Sequence, residues 1–240
     1  WPATWYLFCR SDELRTRPLS KTILGRRLVA YRTESGKVSV LGAQCAHQGA
    51  DLGRGTIVGE TILCPFHHWR YDAAGQCVGV PGTRGIPEFA CQPLYPSVER
   101  HGYVFFFNGP EAMFPLPFFP GEDPAGFVAG RAFTLHWNIP WYMIAANAFD
   151  TQHFRAIHDR KMIGHETVDA PAPFARRIRF DAQITGDSLH DRFLSRVVGE
   201  RVETAITSWG GPFVTVTGKF RRATSYIDRK STRLNSSHRT

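Results

Sequence analysis

Two short pairs of metal-ligating side chains, each joining a cysteine to a histidine, carry the chemistry of this sequence. The first pair is Cys45 and His47, the second is Cys64 and His67, and sixteen residues separate the pairs. Thiolates are soft ligands that suit iron–sulfur clusters, and imidazole suits iron or zinc. Each pair is short enough to lie on one loop, so two loops must meet in space to close one site. The pattern predicts a metal centre, and electron transfer is its first expected role.

Two kinds of metal centre compete for these four residues. A structural zinc site also uses two cysteines and two histidines, but zinc motifs usually group Cys with Cys and His with His. Mixed pairs suit a 2Fe-2S cluster in which the cysteines bind one iron and the histidines bind the other. The mixing therefore favours the cluster. We expect His68 to face solvent or to support a ligand, because His67 already has the right spacing.

Around these pairs the sequence resembles the Rieske 2Fe-2S domain family, over about residues 5–110. The resemblance extends to residues 48–52 after the first pair, to residues 69–72 after the second, and to the turn glycines Gly75 and Gly79. It implies that Cys45, His47, Cys64 and His67 hold a Rieske cluster.

The resemblance also predicts the potential of that cluster. High-potential members carry a disulfide between the two loops and a serine that donates to a cluster sulfur, whereas the corresponding positions here are Ala50, Phe66 and Trp69. Fewer hydrogen bonds to the sulfurs lower the reduction potential. We therefore expect a low-potential centre, of the kind found in oxygenases and their ferredoxins. A respiratory Rieske subunit would need the disulfide and a membrane anchor.

Composition sets broader limits. The 240 residues, 42% of them hydrophobic, are enough for one large or two modest domains. Cys9, Cys77 and Cys91 have no framework-like spacing, so we expect buried free thiols in a reducing compartment. There is no signal peptide and no run of eighteen apolar residues. A cytoplasmic protein without a membrane span is the expectation.

The last thirteen residues, 228–240, resemble the translation of a sequencing adapter, and we expect them to be a non-native tail. They carry four basic residues and one acidic residue, and removing this +3 from the net charge of +8 leaves +5. A mild basic excess suits docking of an acidic electron carrier, but it has no stripe typical of nucleic-acid binding.

The pattern predicts an α+β protein in two parts. Residues 1–112 should form an all-β domain, 113–130 a linker rich in Gly and Pro, and 131–227 the start of a catalytic domain with helices on an antiparallel sheet. The predicted strands are rich in aromatic and branched apolar residues and lie at 5–9, 27–32, 38–41, 61–63 and 104–107. Residues 34–36 should form the turn of a hairpin.

A second group of candidate ligands follows the predicted linker. Asn147, Asp150 and His153 are spaced by three, so one helix would place them on one face, and His158 suits a helix end or a kink. Two histidines with a carboxylate form the ligand set of mononuclear non-heme Fe(II). Taken alone, this segment is weak, because such residues are more often capping, solvated or hydrogen-bonded.

Behind a low-potential Rieske domain, the segment resembles the α subunit of Rieske non-heme iron oxygenases. The resemblance implies that His153 and His158 bind the mononuclear iron. It implies that Asp150 bridges by hydrogen bonds to His67 of a neighbouring subunit, and that Asn147 lies near the iron. It also implies a homotrimer, with the cluster of one subunit beside the iron of the next.

A third, carboxylate ligand is expected well over a hundred residues downstream of His158, but only 82 residues follow it. Asp181, Asp187 and Asp191 are the acidic candidates, in strand-like or turn contexts near the surface. We interpret the chain, which begins at Trp1, as a truncated fragment that lacks this ligand and is itself inactive.

The expected function is that of a terminal oxygenase. Electrons from NAD(P)H, passed through a flavin reductase with or without a ferredoxin, would support hydroxylation, demethylation or desaturation of an apolar aromatic or steroid-like substrate by O2. The cluster segment looks closest to ketosteroid hydroxylases and sterol desaturases, and ring-hydroxylating monooxygenases and dioxygenases stay open. The alternative is a Rieske-type ferredoxin without catalysis, which would end near residue 110. The substrate, the electron donor and a possible β subunit are not determined by these residues.

Overall fold

A computed structural model describes residues 1–83, 85–130, 138–158, 160–186 and 188–230. In the N-terminal part, the described strands form three antiparallel sheets. The first sheet has the order β1 (Trp5–Arg10), β11 (Tyr103–Phe107) and β10 (Ser97–Arg100). The second has the order β2 (Leu19–Ile23), β3 (Arg26–Arg32), β4 (Val38–Gly42) and β9 (Leu94–Tyr95). The third has the order β5 (Thr56–Val58), β6 (Thr61–Leu63), β7 (Arg70–Asp72) and β8 (Cys77–Gly79). The predicted strands and the hairpin between β3 and β4 are confirmed.

Strand β3 separates two hydrophobic cores. Successive side chains of a strand point to opposite faces, and β3 is buried on both. Val29 and Tyr31 belong to the core beneath the candidate cluster site. Leu28 and Ala30 belong to the core against β1 and β11. The core beneath the candidate cluster site is therefore bounded by a strand that is buried on both faces.

The C-terminal part is a five-stranded antiparallel meander with helices on one face. Its strands pair in chain order: β12 (Arg160–Asp169), β13 (Ala175–Ile184), β14 (Arg201–Trp209), β15 (Phe213–Phe220) and β16 (Thr224–Lys230). Helices α1 (Tyr142–Ala148) and α2 (Thr151–His158) precede the sheet, and α3 (Leu189–Val198) lies between β13 and β14. The predicted α+β class is confirmed.

Alternation along β13 explains the packing of the first two helices. Ile178, Phe180 and Ala182 lie on one face and are buried. Phe149 and Phe154, from the helical segment, pack against this face, and the rings of Phe154 and Phe180 lie 4.9 Å apart. The histidine-bearing helix α2 is thus held on the sheet by its aromatic side.

The predicted linker, 113–130, has little regular structure beyond a 3-10 turn at Pro124–Gly126, but several residues of its first part are buried. Phe114 and Leu116 are buried in a cluster that also holds Trp5 and Phe213. The indole Nε1 of Trp5 donates to the backbone oxygen of Phe114 at 2.8 Å. The segment therefore joins the two parts of the chain through a shared core. The domain boundaries themselves stay predictions.

The three cysteines outside the ligand pairs differ in exposure. Cys9 and Cys77 are buried free thiols, as expected, and burial raises the pKa of the Cys9 thiol to about 12. Cys91 is exposed, so the expectation of burial was wrong there. Within the part of the chain that the structure describes, no helix has the length and apolarity to cross a membrane.

A candidate iron–sulfur site and a histidine pair

The four predicted cluster ligands lie on two loops with nearly the same backbone, which we call knuckle 1 (residues 45–50) and knuckle 2 (residues 64–69). In knuckle 1 the backbone N–H of Cys45 donates to the oxygen of Ala50 at 2.9 Å, and in knuckle 2 that of Cys64 donates to Trp69 at 2.8 Å. A second bond in each loop returns to the cysteine oxygen, from Gly49 and from His68. Each knuckle is therefore closed onto itself and presents its side chains from a fixed frame.

The equivalent residues Gly49 and His68 both have a left-handed backbone, with φ of 73° and 59°. Glycine adopts this conformation freely, whereas a histidine is strained by it. The side chain of His68 is exposed, which confirms the expectation for this spare imidazole. His68 thus fills the turn position of knuckle 2.

Within the site, thiol lies against thiol and imidazole against imidazole. Cys45 and Cys64 are buried, at 3% and 1% exposure. Burial raises the pKa of the Cys64 thiol, backbone N–H groups of Phe66 and His67 lower it, and the neighbouring Cys45 raises it. The rings of His47 and His67 lie 4.6 Å apart. This pairing is the arrangement that a binuclear cluster with two sulfur-bound and two nitrogen-bound positions needs.

One ring nitrogen gives a direct test of the fit to a metal cluster. The Nδ1 atom of His47 is buried and has no hydrogen-bond partner in the protein. The ring is held in place by stacking on Trp69, with centroids 4.6 Å apart and planes 5° from parallel. Buried polar atoms are nearly always paired, so a fixed, unpaired imidazole nitrogen beside a second imidazole is what a metal ligand requires. The residues fit a 2Fe-2S cluster.

Sequence reasoning missed Tyr71, which supplies a hydroxyl to the site. Its oxygen lies 3.2 Å from the Sγ atom of Cys45, and burial raises the pKa of this phenol. The expectation that the loops lack a hydroxyl for a cluster sulfur was therefore incomplete. Tyr71 stands two residues beyond Trp69 on β7, so both side chains point to the same face, and this alternation was the available signal.

The rim of the site is apolar and exposed. Phe66, in knuckle 2, is 59% exposed and its ring lies 3.8 Å from that of His67. Phe89 is 63% exposed and packs beside Trp69. The imidazole side of the site therefore faces the surface, while the thiols face the core.

The second group of predicted ligands is divided between two helices. Asn147 lies near the end of α1, and α2 begins only after Asp150, so the prediction of one continuous helical face was wrong. The reason is a local cap: Oδ1 of Asp150 accepts from the backbone N–H of Gln152 at 2.9 Å and of His153 at 3.3 Å. An aspartate in this position starts a new helix.

His153 and His158 nevertheless converge. Their Nε2 atoms lie 3.1 Å apart, with His153 half-buried and His158 exposed. Two nitrogens bound to one ion by bonds of about 2.1 Å stand at a similar separation. The pair thus offers two of the ligands of a mononuclear site.

The acidic candidates for a third ligand lie elsewhere. Asp181 is exposed on β13. Asp191 is buried in the first turn of α3 and forms an ion pair with Arg160 at 3.1 Å, so it is neither on a strand nor at the surface as expected. Asp187 lies outside the described residues. Among the residues that are described, no three His, Cys, Asp or Glu side chains gather as ligands of one ion.

Comparison with known proteins agrees with this site. The family model of the Rieske [2Fe-2S] domain matches residues 4–90. The chain therefore contains a Rieske domain, the class that the knuckles and their ligands define. Several of its sequence relatives are named as oxygenases.

The aminopyrrolnitrin oxygenase PrnD of Pseudomonas fluorescens is 38% identical over 165 residues, which cover 65% of this chain and 46% of the relative. The oxygenase component of 3-ketosteroid-9-alpha-monooxygenase from Rhodococcus rhodochrous is 30% identical over 161 residues, covering 64% of this chain and 43% of the relative. The chain thus spans less than half the length of these curated relatives.

The crystal structure of dicamba monooxygenase bound to dicamba has the same fold. It matches with a TM-score of 0.65 at 20% identity, over 96% of this chain and 73% of that one. The likeness extends well beyond the Rieske domain, so the C-terminal sheet with its helices belongs to the shared architecture.

Proposed function

We propose that this chain is part of a terminal oxygenase component that hydroxylates, demethylates or desaturates an apolar aromatic or steroid-like substrate with O2. The observation that carries the proposal is the 3.1 Å approach of His153 and His158 in a chain that also holds the Rieske knuckles. An electron-transfer domain alone needs no second pair of convergent imidazoles. The names of the relatives, both oxygenases, support the same reading.

Cys45, His47, Cys64 and His67 would hold the 2Fe-2S cluster, and His153 with His158 would hold a mononuclear Fe(II). When bound, the cluster supplies single electrons and the Fe(II) supplies a site for dioxygen chemistry. The protein itself holds the ligands in position. The knuckles fix the ligands, Asp150 starts the helix that carries His153, and the packing of Phe154 on Phe180 holds that helix against the sheet.

Asp150 has a second proposed role, in the assembled protein. Its side chain is exposed, and its known bonds use one oxygen, Oδ1, for the helix cap. His67 is exposed on the rim of the cluster site. In a homotrimer, we infer that Asp150 of one copy hydrogen-bonds His67 of the next and so connects the two metal sites. The apolar rim residues Phe66 and Phe89 suit burial in that contact.

Electrons would arrive from NAD(P)H through a flavin reductase, with or without a ferredoxin. The positive net charge of the chain, +8 with its tail, suits an acidic electron carrier. We place the assembly in the cytoplasm, where the unpaired thiols Cys9 and Cys77 stay reduced.

Iron counting with EPR tests the proposal. The purified chain is loaded anaerobically with iron and sulfide, and we expect three irons per chain and a reduced Rieske signal. The variants His153→Ala and His158→Ala should bind two irons and keep the Rieske signal unchanged. His165→Ala, which removes an exposed histidine of β12, is the matched control and should bind three. Two irons in the parent, unaffected by the α2 variants, would show that the histidine pair of this chain does not hold iron.

A further inference from the structure

Gln92 is a buried polar residue outside both knuckles, with 4% of its surface exposed. It lies just before β9, in the connection that follows β8. Its backbone N–H donates to the oxygen of Gly75 at 2.7 Å. Gly75 has a φ of 83°, and a Cβ atom there would stand 2.4 Å from the Gln92 oxygen. The chain is therefore built to bring Gln92 close to the turn between β7 and β8.

The side-chain amide of Gln92 bonds to backbone groups that lead into and through knuckle 1. Its orientation follows from these neighbours: the nitrogen donates to the oxygens of Gly42 and Gln44, both at 3.0 Å, and the oxygen accepts from the N–H of Ala46 at 2.8 Å. Both amide hydrogens are thus used, and the oxygen is paired. Ala46 is the residue between the ligands Cys45 and His47.

The side-chain amide of Gln92 also contacts Tyr71, the residue whose hydroxyl faces the Cys45 thiol. It lies within hydrogen-bonding distance of the Tyr71 hydroxyl, which in turn lies 3.2 Å from Cys45 Sγ. Gln92 therefore contacts the backbone of knuckle 1 directly and, through Tyr71, the sulfur of its ligand Cys45. Only glutamine and asparagine side chains have two donor hydrogens and an acceptor oxygen in one plane, and asparagine is one methylene shorter.

We propose that Gln92 is a positioning residue for the Rieske cluster, which fixes the backbone of knuckle 1 and so sets how Cys45 and His47 meet their irons. The proposal rests on the presence of the cluster and deepens the proposed function. In knuckle 2 the corresponding restraint comes from its own turn and from the strands β6 and β7 on either side. Knuckle 1 has a strand, β4, before it and a 3-10 turn, Leu52–Arg54, after it. The bridge between Gln44 and Asp51 closes its base, and Gln92 adds a further anchor.

The test replaces Gln92 by methionine, which has a similar length but cannot form these bonds. Gln92→Asn is the second variant, because it stays polar and leaves room for water if the methionine is not tolerated. We expect both to fold, with a shifted reduction potential and an altered EPR signal of the reduced cluster. Loss of the cluster to a chelator should become about tenfold faster, since buried backbone groups of knuckle 1 lose their partner.

Gln76→Met is the matched control, because Gln76 is an exposed glutamine of the same domain that lies outside both knuckles. It should keep the potential, the EPR signal and the rate of cluster loss of the parent. Parent-like values of all three in a folded Gln92 variant would overturn the proposal. Failure of both variants to fold would also count against it, by placing the role of Gln92 in the domain fold. A parent that shows no Rieske signal would instead refute the cluster assignment on which the proposal depends.

Discussion

The hydroxyl of Tyr71 and the Sγ atom of Cys45 lie 3.2 Å apart in the buried half of the cluster site. When Cys45 is a thiolate it has no hydrogen, so the tyrosine must donate. A donor to a ligand sulfur stabilises the reduced, more negative cluster. The site therefore has a side-chain hydroxyl as one of the donors to its ligand sulfurs, although it lacks the loop disulfide and serine expected of high-potential members.

Tyr71→Phe should lower the reduction potential of the cluster. A hydrogen bond with a net contribution of about 0.5–1.5 kcal/mol corresponds to roughly 20–65 mV for a one-electron couple. Potentiometric titration followed by EPR measures the shift. Tyr31→Phe is the matched control, since Tyr31 belongs to the same core and its buried hydroxyl has no partner in the protein. An unchanged potential in the Tyr71 variant would show that the sulfur does not sense this hydroxyl.

His68 and Gly49 both have a left-handed backbone, and substitutions at these two positions should change the stability in opposite directions. His68→Gly should raise the stability of the cluster-loaded protein by about 0.5–1 kcal/mol, because relief of backbone strain exceeds the added freedom of the unfolded chain. Gly49→Ala should lower the stability by about 1 kcal/mol, because alanine is strained at a φ of 73°. Steric clash adds nothing to this cost, since a Cβ atom there would meet nothing within 4 Å. Chemical denaturation measures both. A loss of cluster in His68→Gly would mean that His68, not only His67, serves the site.

Asp150 combines a helix cap with a proposed contact to a neighbouring copy, and two variants separate these roles. Asn caps helices as well as Asp does, whereas Ala loses about 1 kcal/mol. Asp150→Asn should therefore melt like the parent, while Asp150→Ala should be less stable. In the assembled oxygenase, both should slow electron transfer between the metal sites, measured by rapid-mixing spectroscopy. Normal transfer in Asp150→Asn would exclude a bridging role for the carboxylate.

Phe213 joins the C-terminal sheet to the Rieske domain. It is 1% exposed and packs in the cluster of Trp5, Phe107 and Phe114. Phe213→Ala should lower the free energy of unfolding by about 3–5 kcal/mol, as measured by urea denaturation. Phe193→Ala removes a phenylalanine that is 67% exposed on α3, and should change stability little. Equal effects of the two substitutions would contradict a shared core between the two parts.

The ion pair of Glu99 with Arg32 connects two sheets of the Rieske domain and predicts a pH dependence of stability. The two terminal nitrogens of Arg32, Nη1 and Nη2, each donate to the carboxylate at 2.8 Å. This hydrogen bonding lowers the pKa of Glu99, and burial raises it by a smaller amount. Because the folded pKa is depressed, the stabilisation is present above the unfolded pKa of about 4.3. It is lost as the pH falls through the folded pKa.

Glu99→Gln should therefore lower stability at pH 7 by about 0.5–1 kcal/mol, a modest value because water screens a partly exposed pair. The difference from the parent should begin to shrink as the pH falls below about 4.3 and disappear below the folded pKa of Glu99. Denaturation curves at several pH values measure it, and Glu88→Gln is the exposed control. A difference that persists at low pH would assign the effect to packing rather than charge.

Short-range features of this protein were determined by its sequence. The ligand pairs Cys45/His47 and Cys64/His67, the strands around them and the helical segment before His153 all follow from the spacing of a few neighbouring residues. Such spacing fixes which side chains a single loop or strand presents. It also predicted the α+β class, because strand-like segments fill residues 1–112 and a helical stretch precedes His153.

Only the tertiary structure decided which distant groups meet. Tyr71 reaches Cys45 across 26 residues, and Gln92 reaches Ala46 from the segment that precedes β9. The aromatic residues of 113–130 gained their role from burial against Phe213. Contacts of this kind depend on how sheets stack and on which polar groups lose water, and no local pattern of residues encodes either.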